Sequence, residues 1–204
     1  MGDKKRLPAI FLDRDGTINE ETGYVDRLER LALIPGAAEA IRLINQRGLK
    51  AIVVTNQSGV ARGLFDEPFV AALHAHLERM LRREGAFLDG IYYCPHHPTE
   101  GRGQYLLSCD CRKPAPGLLI RAQEDLALDP ARCYMIGDTF SDIEAGARAG
   151  IRGILVRTGH GEKAAAALSE LGREGLPAPP IVRPVHVAQN LLEAVRWILR
   201  KDGL

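Results

Sequence analysis

Short apolar runs alternate along the chain with longer stretches in which apolar residues recur every third or fourth position. AIFLD (9–13), KAIVVTN (50–56), DGIYYC (89–94), CYMIGD (133–138) and GILVRTG (153–159) read as strands. GAAEAIRLINQRG (36–48) reads as a helix, with Pro35 near its start and Gly48 at its end. DEPFVAALHAHLERMLRREG (66–85) reads as a longer helix. Asp66 can cap it, Pro68 suits its first turn, and Phe69, Leu73, Leu77 and Met80 or Leu81 share a face. PGLLIRAQEDL (116–126) and DIEAGARAG (142–150) are further helices, and EKAAAALSELG (162–172) repeats the pattern weakly. The Pro-rich stretch 177–184 reads as a surface connection. VAQNLLEAVRWILR (187–200) then reads as a closing helix with Val187, Leu191, Val195 and Ile198 in line.

Alternation of this kind predicts an α/β fold, a doubly wound and mainly parallel sheet covered on both faces. Ligands of such sheets gather at the carboxyl ends of the strands. Asp13 and Asp15 fall just after the first strand, and Thr55, Asn56, Gln57 and Ser58 after the second. Gly137 and Asp138 end a later one, with Asp142 a helical turn on, and Lys113 stands ahead of a helix in CRKPAPG. Carboxylates bind magnesium, usually one or two of them together with a phosphate. A carboxylate can also attack phosphorus, and a second acid two residues on can protonate the leaving oxygen and then activate water. A lysine and a hydroxyl can hold the oxygens of the phosphoryl group in flight. Gly16 lets the chain turn sharply beneath the phosphate, and Thr17 can bond locally to hold that turn. Taken singly, each residue has an ordinary reading as a cap, a turn or a solvated charge. Their order and placement together carry the argument.

The segments DRDGT, VVTNQS, RKP and IGDTFSD resemble the motifs of the haloacid dehalogenase superfamily of phosphohydrolases, over about residues 9–157. The resemblance implies a Rossmann-like hydrolase with Asp13 as nucleophile, Asp15 as general acid and base, and Thr55 and Lys113 as phosphoryl stabilisers. It implies Mg2+ held by Asp13, the backbone carbonyl of Asp15 and Asp138, with Asp142 supporting that cluster. The branch it most resembles acts on a small phosphorylated sugar, and a branch acting on histidinol phosphate carries the same motifs. In the sugar branch, Arg112 is expected to read the substrate, with Arg14, Gly23, Tyr24, Asn56, Gln57 and Ser58 beside it. The chain departs from that pattern at Thr139, where lysine is usual, and at Glu21 and Thr22 before Gly23.

A second cluster comes from the cysteines. Cys94 and His96, then Cys109 and Cys111, form two half-motifs flanking a loop, 94–111. Four such ligands suit tetrahedral zinc and leave no open position, which predicts a structural Zn2+. Spacing alone lets His97 replace His96. Folding the loop around metal would fix Arg112 and Lys113, which follow it directly. Cys133 lies in an apolar strand and reads as a core residue.

At 204 residues and 46% hydrophobic, the chain suits one domain, 1–204, with a core that needs no disulfides. The intervals between the motifs leave no room for a cap domain, so specificity falls to loops 19–27, 57–65 and 96–112. Arg62, near the mouth, is a candidate for a second phosphate or a solvated charge. The balance of 27 basic against 26 acidic residues, with 5% aromatics, argues against nucleic acid. No apolar run approaches the roughly 18 residues of a membrane helix, and no signal peptide stands at the start. A cytoplasmic enzyme is expected, and the family resemblance implies a monomer.

Overall fold

A computed structural model describes residues 6–170 and 182–203. Six parallel strands form one sheet in the order β3-β2-β1-β4-β5-β6. They are β1 (Ala9–Leu12), β2 (Lys50–Asn56), β3 (Gly90–Cys94), β4 (Tyr134–Gly137), β5 (Arg152–Val156) and β6 (His186–Ala188). Leu12 of β1 registers with Val53 on one side and Ile136 on the other, so β1 is central and paired along both edges.

Side chains alternate across a strand, and the sequence uses both faces. Ile10, Leu12, Val53, Ile136 and Ile154 point into a large core. It is closed by α1 (Ala37–Gln46), α3 (Glu67–Arg83) and α7 (Leu191–Lys201). Phe11, Ile52, Val54 and Met135 point the other way, onto α4 (Gly117–Asp125) and α5 (Phe140–Arg148). Leu155 continues that second face beneath α6 (Gly161–Glu170). A one-turn helix, α2 (Ser58–Ala61), follows β2 and was not anticipated. No cap domain interrupts the described segments between the strands; only α2 and α3 stand between β2 and β3.

Two expectations about elements are corrected. The closing helix starts at Leu191, because the Asn190 side chain accepts from Glu193 N at 3.0 Å and ends the extended chain there. Val187, expected on that helix, instead registers with Leu155 in the sixth strand. The helix expected from Asp142 begins earlier, at Phe140, with Thr139 as its cap. The Pro-rich stretch 177–184 lies outside the described residues as far as 181.

Candidate active site

The central strands deliver their acids to one edge. Asp13 follows β1, and its N–H donates to Ile136 O at 2.9 Å, which extends the β1–β4 ladder by one bond. Asp138 follows β4, and Asp142 lies one turn into α5. One carboxylate oxygen from each of the three lies within 4.8 Å of the others. All three acids are buried, and so is Lys113. The Lys113 ammonium pairs with Asp13 Oδ1 at 2.8 Å and Asp142 Oδ1 at 2.5 Å and donates to Val54 O at 2.8 Å. Arg14 N also donates to Asp13 Oδ1, at 2.8 Å, and no hydrogen bond holds Asp13 Oδ2 among the described residues.

Three carboxylates against one ammonium leave an excess of two negative charges in a buried space. Burial, with the Asp142 and Asp138 carboxylates adding to it, pushes Asp13 well above the usual carboxylate range against the pull of Lys113. Burial and Asp142 likewise raise Asp138 to about 6. Burial alone would lower Lys113, but Asp13 and Asp142 outweigh it and drive its pKa up. An all-oxygen donor set with this charge excess fits a hard divalent cation such as Mg2+. Gly16, at φ +78°, has no room for a side chain, since a Cβ there would press into Asp138 Oδ2. The same holds at Gly159, after β5. The cavity above these groups encloses about 280 Å³, and Tyr24, Phe65, Arg112, Ser141 and His160 are among its walls.

The family pattern for haloacid dehalogenase-like hydrolases matches residues 10–150, and a second, HAD-hydrolase-like, matches 110–194. The chain belongs to the haloacid dehalogenase-like hydrolases. This hydrolase is 48% identical over 154 residues to the D-glycero-beta-D-manno-heptose-1,7-bisphosphate 7-phosphatase of Photorhabdus laumondii, covering 75% of this chain and 82% of the relative. The Escherichia coli K12 protein of the same name is 46% identical over 156 residues, with 76% and 82% covered. A crystal structure of D,D-heptose 1,7-bisphosphate phosphatase from B. bronchiseptica, complexed with magnesium and phosphate, superposes with a TM-score of 0.80 at 33% identity. That match covers 96% of this hydrolase and 99% of the other chain.

Asp15 in this hydrolase is held by a ring of donors. Arg14 Nη2 reaches Asp15 Oδ2 at 2.7 Å and Oδ1 at 2.9 Å, and Arg14 Nε reaches Oδ1 at 3.2 Å. Asn19 Nδ2 and Gln57 Nε2 donate to it at 3.0 and 2.9 Å. Burial pushes the Asp15 pKa up, but Arg14, Asn19 and Gln57 outweigh it and hold the carboxyl below its usual range. Arg14 was expected at the substrate. It is among the residues that line the cavity, but it is 1% exposed and its guanidinium is committed to Asp15, to Gln57 Oε1 at 3.1 Å and to His74 Nε2 at 3.2 Å, so it braces the cavity floor. Gln57 has a similar place, its amide also donating to Thr55 Oγ1 at 2.9 Å. Asn56 braces from the side. Its amide accepts from Lys113 N at 3.0 Å and donates to Lys113 O at 3.1 Å.

Asn56 and Gln57 line the cavity as well, together with Gly23, Tyr24, Ser58 and Arg112. Tyr24 packs edge-on against Phe65, with ring centroids 6.4 Å apart. Arg62 is not among the lining residues; it pairs with Glu100 and lies over the Tyr24 ring. Thr139 Oγ1 donates to Asp142 Oδ2 at 2.6 Å, so a neutral hydroxyl caps the acid that follows it. The hydroxyl of Thr17, expected to hold the first turn, is buried without a partner. Backbone bonds do that work: Ile18 and Asn19 N–H both donate to Arg14 O, and Gly16 N–H to Asn19 O.

The cysteine loop converges as its spacing implied. Cys94, His96, Cys109 and Cys111 each place one ligand atom within 4.8 Å of the rest. The three sulfurs are 3.1 to 3.6 Å apart, and His96 Nδ1 is 3.4 Å from Cys111 Sγ. Three sulfurs and one nitrogen at such separations fit a tetrahedral zinc ion. His97 is occupied otherwise, its Nδ1 accepting from Glu100 N at 3.0 Å within the loop. Arg112 Nη1 donates to His96 O at 3.2 Å, which ties a cavity wall to the cluster. Cys133 is buried in the core, as expected.

Several working residues had not been singled out. Asn19 lies two residues past the DRDGT segment. His160 N donates to Asp138 Oδ2 at 2.8 Å, and the strand-end rule applied to β5 would have found it. His74, in mid-helix, carried no such signal. Burial and the neighbouring Arg14 hold its pKa down to about 3, so its ring is neutral.

Proposed function

We propose that this hydrolase removes the C7 phosphate of D-glycero-D-manno-heptose 1,7-bisphosphate and leaves the heptose 1-phosphate. One observation carries the reading: Asp13, Lys113, Asp138 and Asp142 meet at the floor of a cavity in a chain 48% identical to a phosphatase of that name. The whole chain, 1–204, is read as one hydrolase domain that works as a cytoplasmic monomer. No helix among the described residues is long and apolar enough to cross a membrane.

Asp13 Oδ2, the oxygen without a hydrogen bond, attacks phosphorus in line with the bond to O7. That bond breaks as Asp15 gives a proton to O7. Asp15 is ionised at rest under Arg14; the arriving phosphate adds like charge beside it, raises its proton affinity, and the carboxylate takes up from solvent the proton it then gives to O7. Gln57 occupies a lone pair of the Thr55 hydroxyl and so leaves its hydrogen for a phosphoryl oxygen. Lys113 offsets the charge of Asp13 as the phosphoryl group approaches. Asp15 then takes a proton from water, and the water oxygen attacks the aspartyl-phosphate to release phosphate and restore Asp13. Asp13, Asp138 and the backbone carbonyl of Asp15 would hold Mg2+, with Asp142 behind them; when bound, the ion supplies charge neutralisation on the phosphoryl oxygens. Cys94, His96, Cys109 and Cys111 would hold a structural Zn2+. Arg112, Gly23, Tyr24 and Ser58 shape the pocket for the sugar and its far phosphate.

The test is phosphate release with magnesium from both heptose bisphosphate anomers and from histidinol phosphate, with Asp13→Asn as control. Rapid turnover of a heptose anomer that vanishes in Asp13→Asn is expected. Preference for histidinol phosphate would overturn the substrate and keep the chemistry.

A further inference from the structure

His74 is a buried titratable group that the mechanism above leaves idle. It lies on the face of α3 turned to the core, beside Leu73 and Leu77, and is 6% exposed. A guanidinium has only hydrogens to give, so in the 3.2 Å contact with Arg14 Nη1 the His74 Nε2 is the acceptor. With one end of the guanidinium fixed there, Arg14 turns the opposite edge, Nε and Nη2, onto Asp15. His74 is itself held. The Tyr93 ring meets it edge-on, with centroids 5.6 Å apart. The Tyr93 hydroxyl donates to Glu67 Oε2 at 2.6 Å, and Glu67 Oε1 accepts from Tyr105 of the cysteine loop at 2.8 Å. The ring therefore cannot turn aside without disturbing a network that spans β3, α3 and that loop.

Resting on the phosphatase reading, we propose that His74 is a positioning residue for Asp15: its ring nitrogen fixes the Arg14 fork that aims the acid/base carboxylate at the leaving oxygen. An arginine at this place in the first motif would otherwise be free to reach for the substrate phosphate. The neutral acceptor beneath it decides which way it points. Small misplacements of a catalytic group slow the reaction strongly while leaving ground-state binding nearly intact. The signature is thus a slower leaving-group step, confined to substrates that need a proton on the leaving group, since the water step that also uses Asp15 is common to all of them.

The experiment compares His74→Leu and His74→Gln on a primary alkyl phosphate and on p-nitrophenyl phosphate, whose leaving group departs as a stable phenolate. For His74→Leu we expect the single-turnover rate of alcohol release from the alkyl phosphate to fall about tenfold with KM within about twofold, and the single-turnover release of p-nitrophenolate to fall by less than about twofold. His74→Gln keeps an acceptor and should recover roughly half of the lost rate. Equal losses on both substrates, or a glutamine variant as slow as the leucine one, overturn the assignment. If His74→Leu does not fold, Arg14→Lys carries the test. It cannot fork onto Asp15, and it must show the same selective loss. Wild-type silence on heptose bisphosphate would sink the substrate reading alone, since the His74 comparison then runs on histidinol phosphate or another primary alkyl phosphate the wild type accepts.

Discussion

The acidic centre and the cysteine cluster each gather four side chains at the same edge of the sheet, but by opposite routes. The acidic centre draws on the ends of β1 and β4, the first turn of α5 and the residue ahead of α4. The backbones of the three acids are fixed by strand ladders and core packing, so the fold brings mutually repelling carboxylates together whether or not a cation lies between them. The cysteine cluster takes all its ligands from the loop 94–111 and its flanks. Apart from a single 3-10 turn at Gly103–Tyr105 and an isolated bridge between His97 and Leu106, that loop has little regular structure. Ordering it costs roughly 1–2 kcal/mol per residue, which a metal bond set can offset. The sheet imposes the acidic centre on any metal it holds, whereas a metal held by the cysteines would impose order on the loop.

The largest test of this contrast is zinc removal. Cys111→Ser, or stripping by a chelator, should lower the Tm by roughly 10 °C and take most of the turnover with it. A zinc-free preparation that melts and turns over like the native one would break the contrast outright, and with it the idea that the loop sets Arg112 and Lys113.

The acidic centre should respond to its cation through pH. Folded Asp138 titrates at about 6 against an ordinary 3.8. Between those values the folded chain holds more protons than the unfolded one, so this group's contribution to stability is lost as pH rises to about 6. Mg2+ competes with that proton. The Tm gain on adding magnesium should therefore be small near pH 5, grow through about pH 6 and level off above it. A gain equal at all these pH values would mean that Asp138 is not crowded as described.

Asn56 joins the two regions, and its loss should be milder. Asn56→Ala removes both bonds to the Lys113 backbone. The expected cost is about tenfold in kcat and about 1–2 kcal/mol in stability, with full zinc content by metal analysis. Lost zinc would show that the cluster depends on Lys113 rather than the reverse. The smallest effect belongs to Thr139→Ala, which removes the hydroxyl bond to Asp142. About 1 kcal/mol, or a Tm lower by about 2–4 °C, is expected with turnover nearly unchanged.

Most of the fold could be read from the chain because parallel strands buried on both faces make continuous apolar runs, and five of the six are long enough to see. The sixth was hidden: His186–Ala188 is three residues long and abuts a helix whose periodicity absorbs Val187. The acids, Thr55 and Lys113 could be placed because chemistry collects where strands end. The residues that brace them follow no such rule. Gln57 and Arg14 line the cavity as a linear reading places them, and only the three-dimensional path of their hydrogen bonds shows that they also brace Asp15. His74 sits in an apolar stripe with Val70, Leu77 and Leu81, and nothing near it in sequence announces an arginine on the opposite strand end.

Gly16 and Gly159 face Asp138 from two directions, one from the turn after β1 and one from the turn after β5. Their consequence lies in how the pocket can be remodelled. One sector of its wall is closed to variation, because any side chain there displaces the carboxylate that the site is built around. The wall formed by Tyr24, Phe65 and Arg112 meets no such limit. A library seeking new leaving groups should hold the glycine sector constant and spend its diversity on that wall.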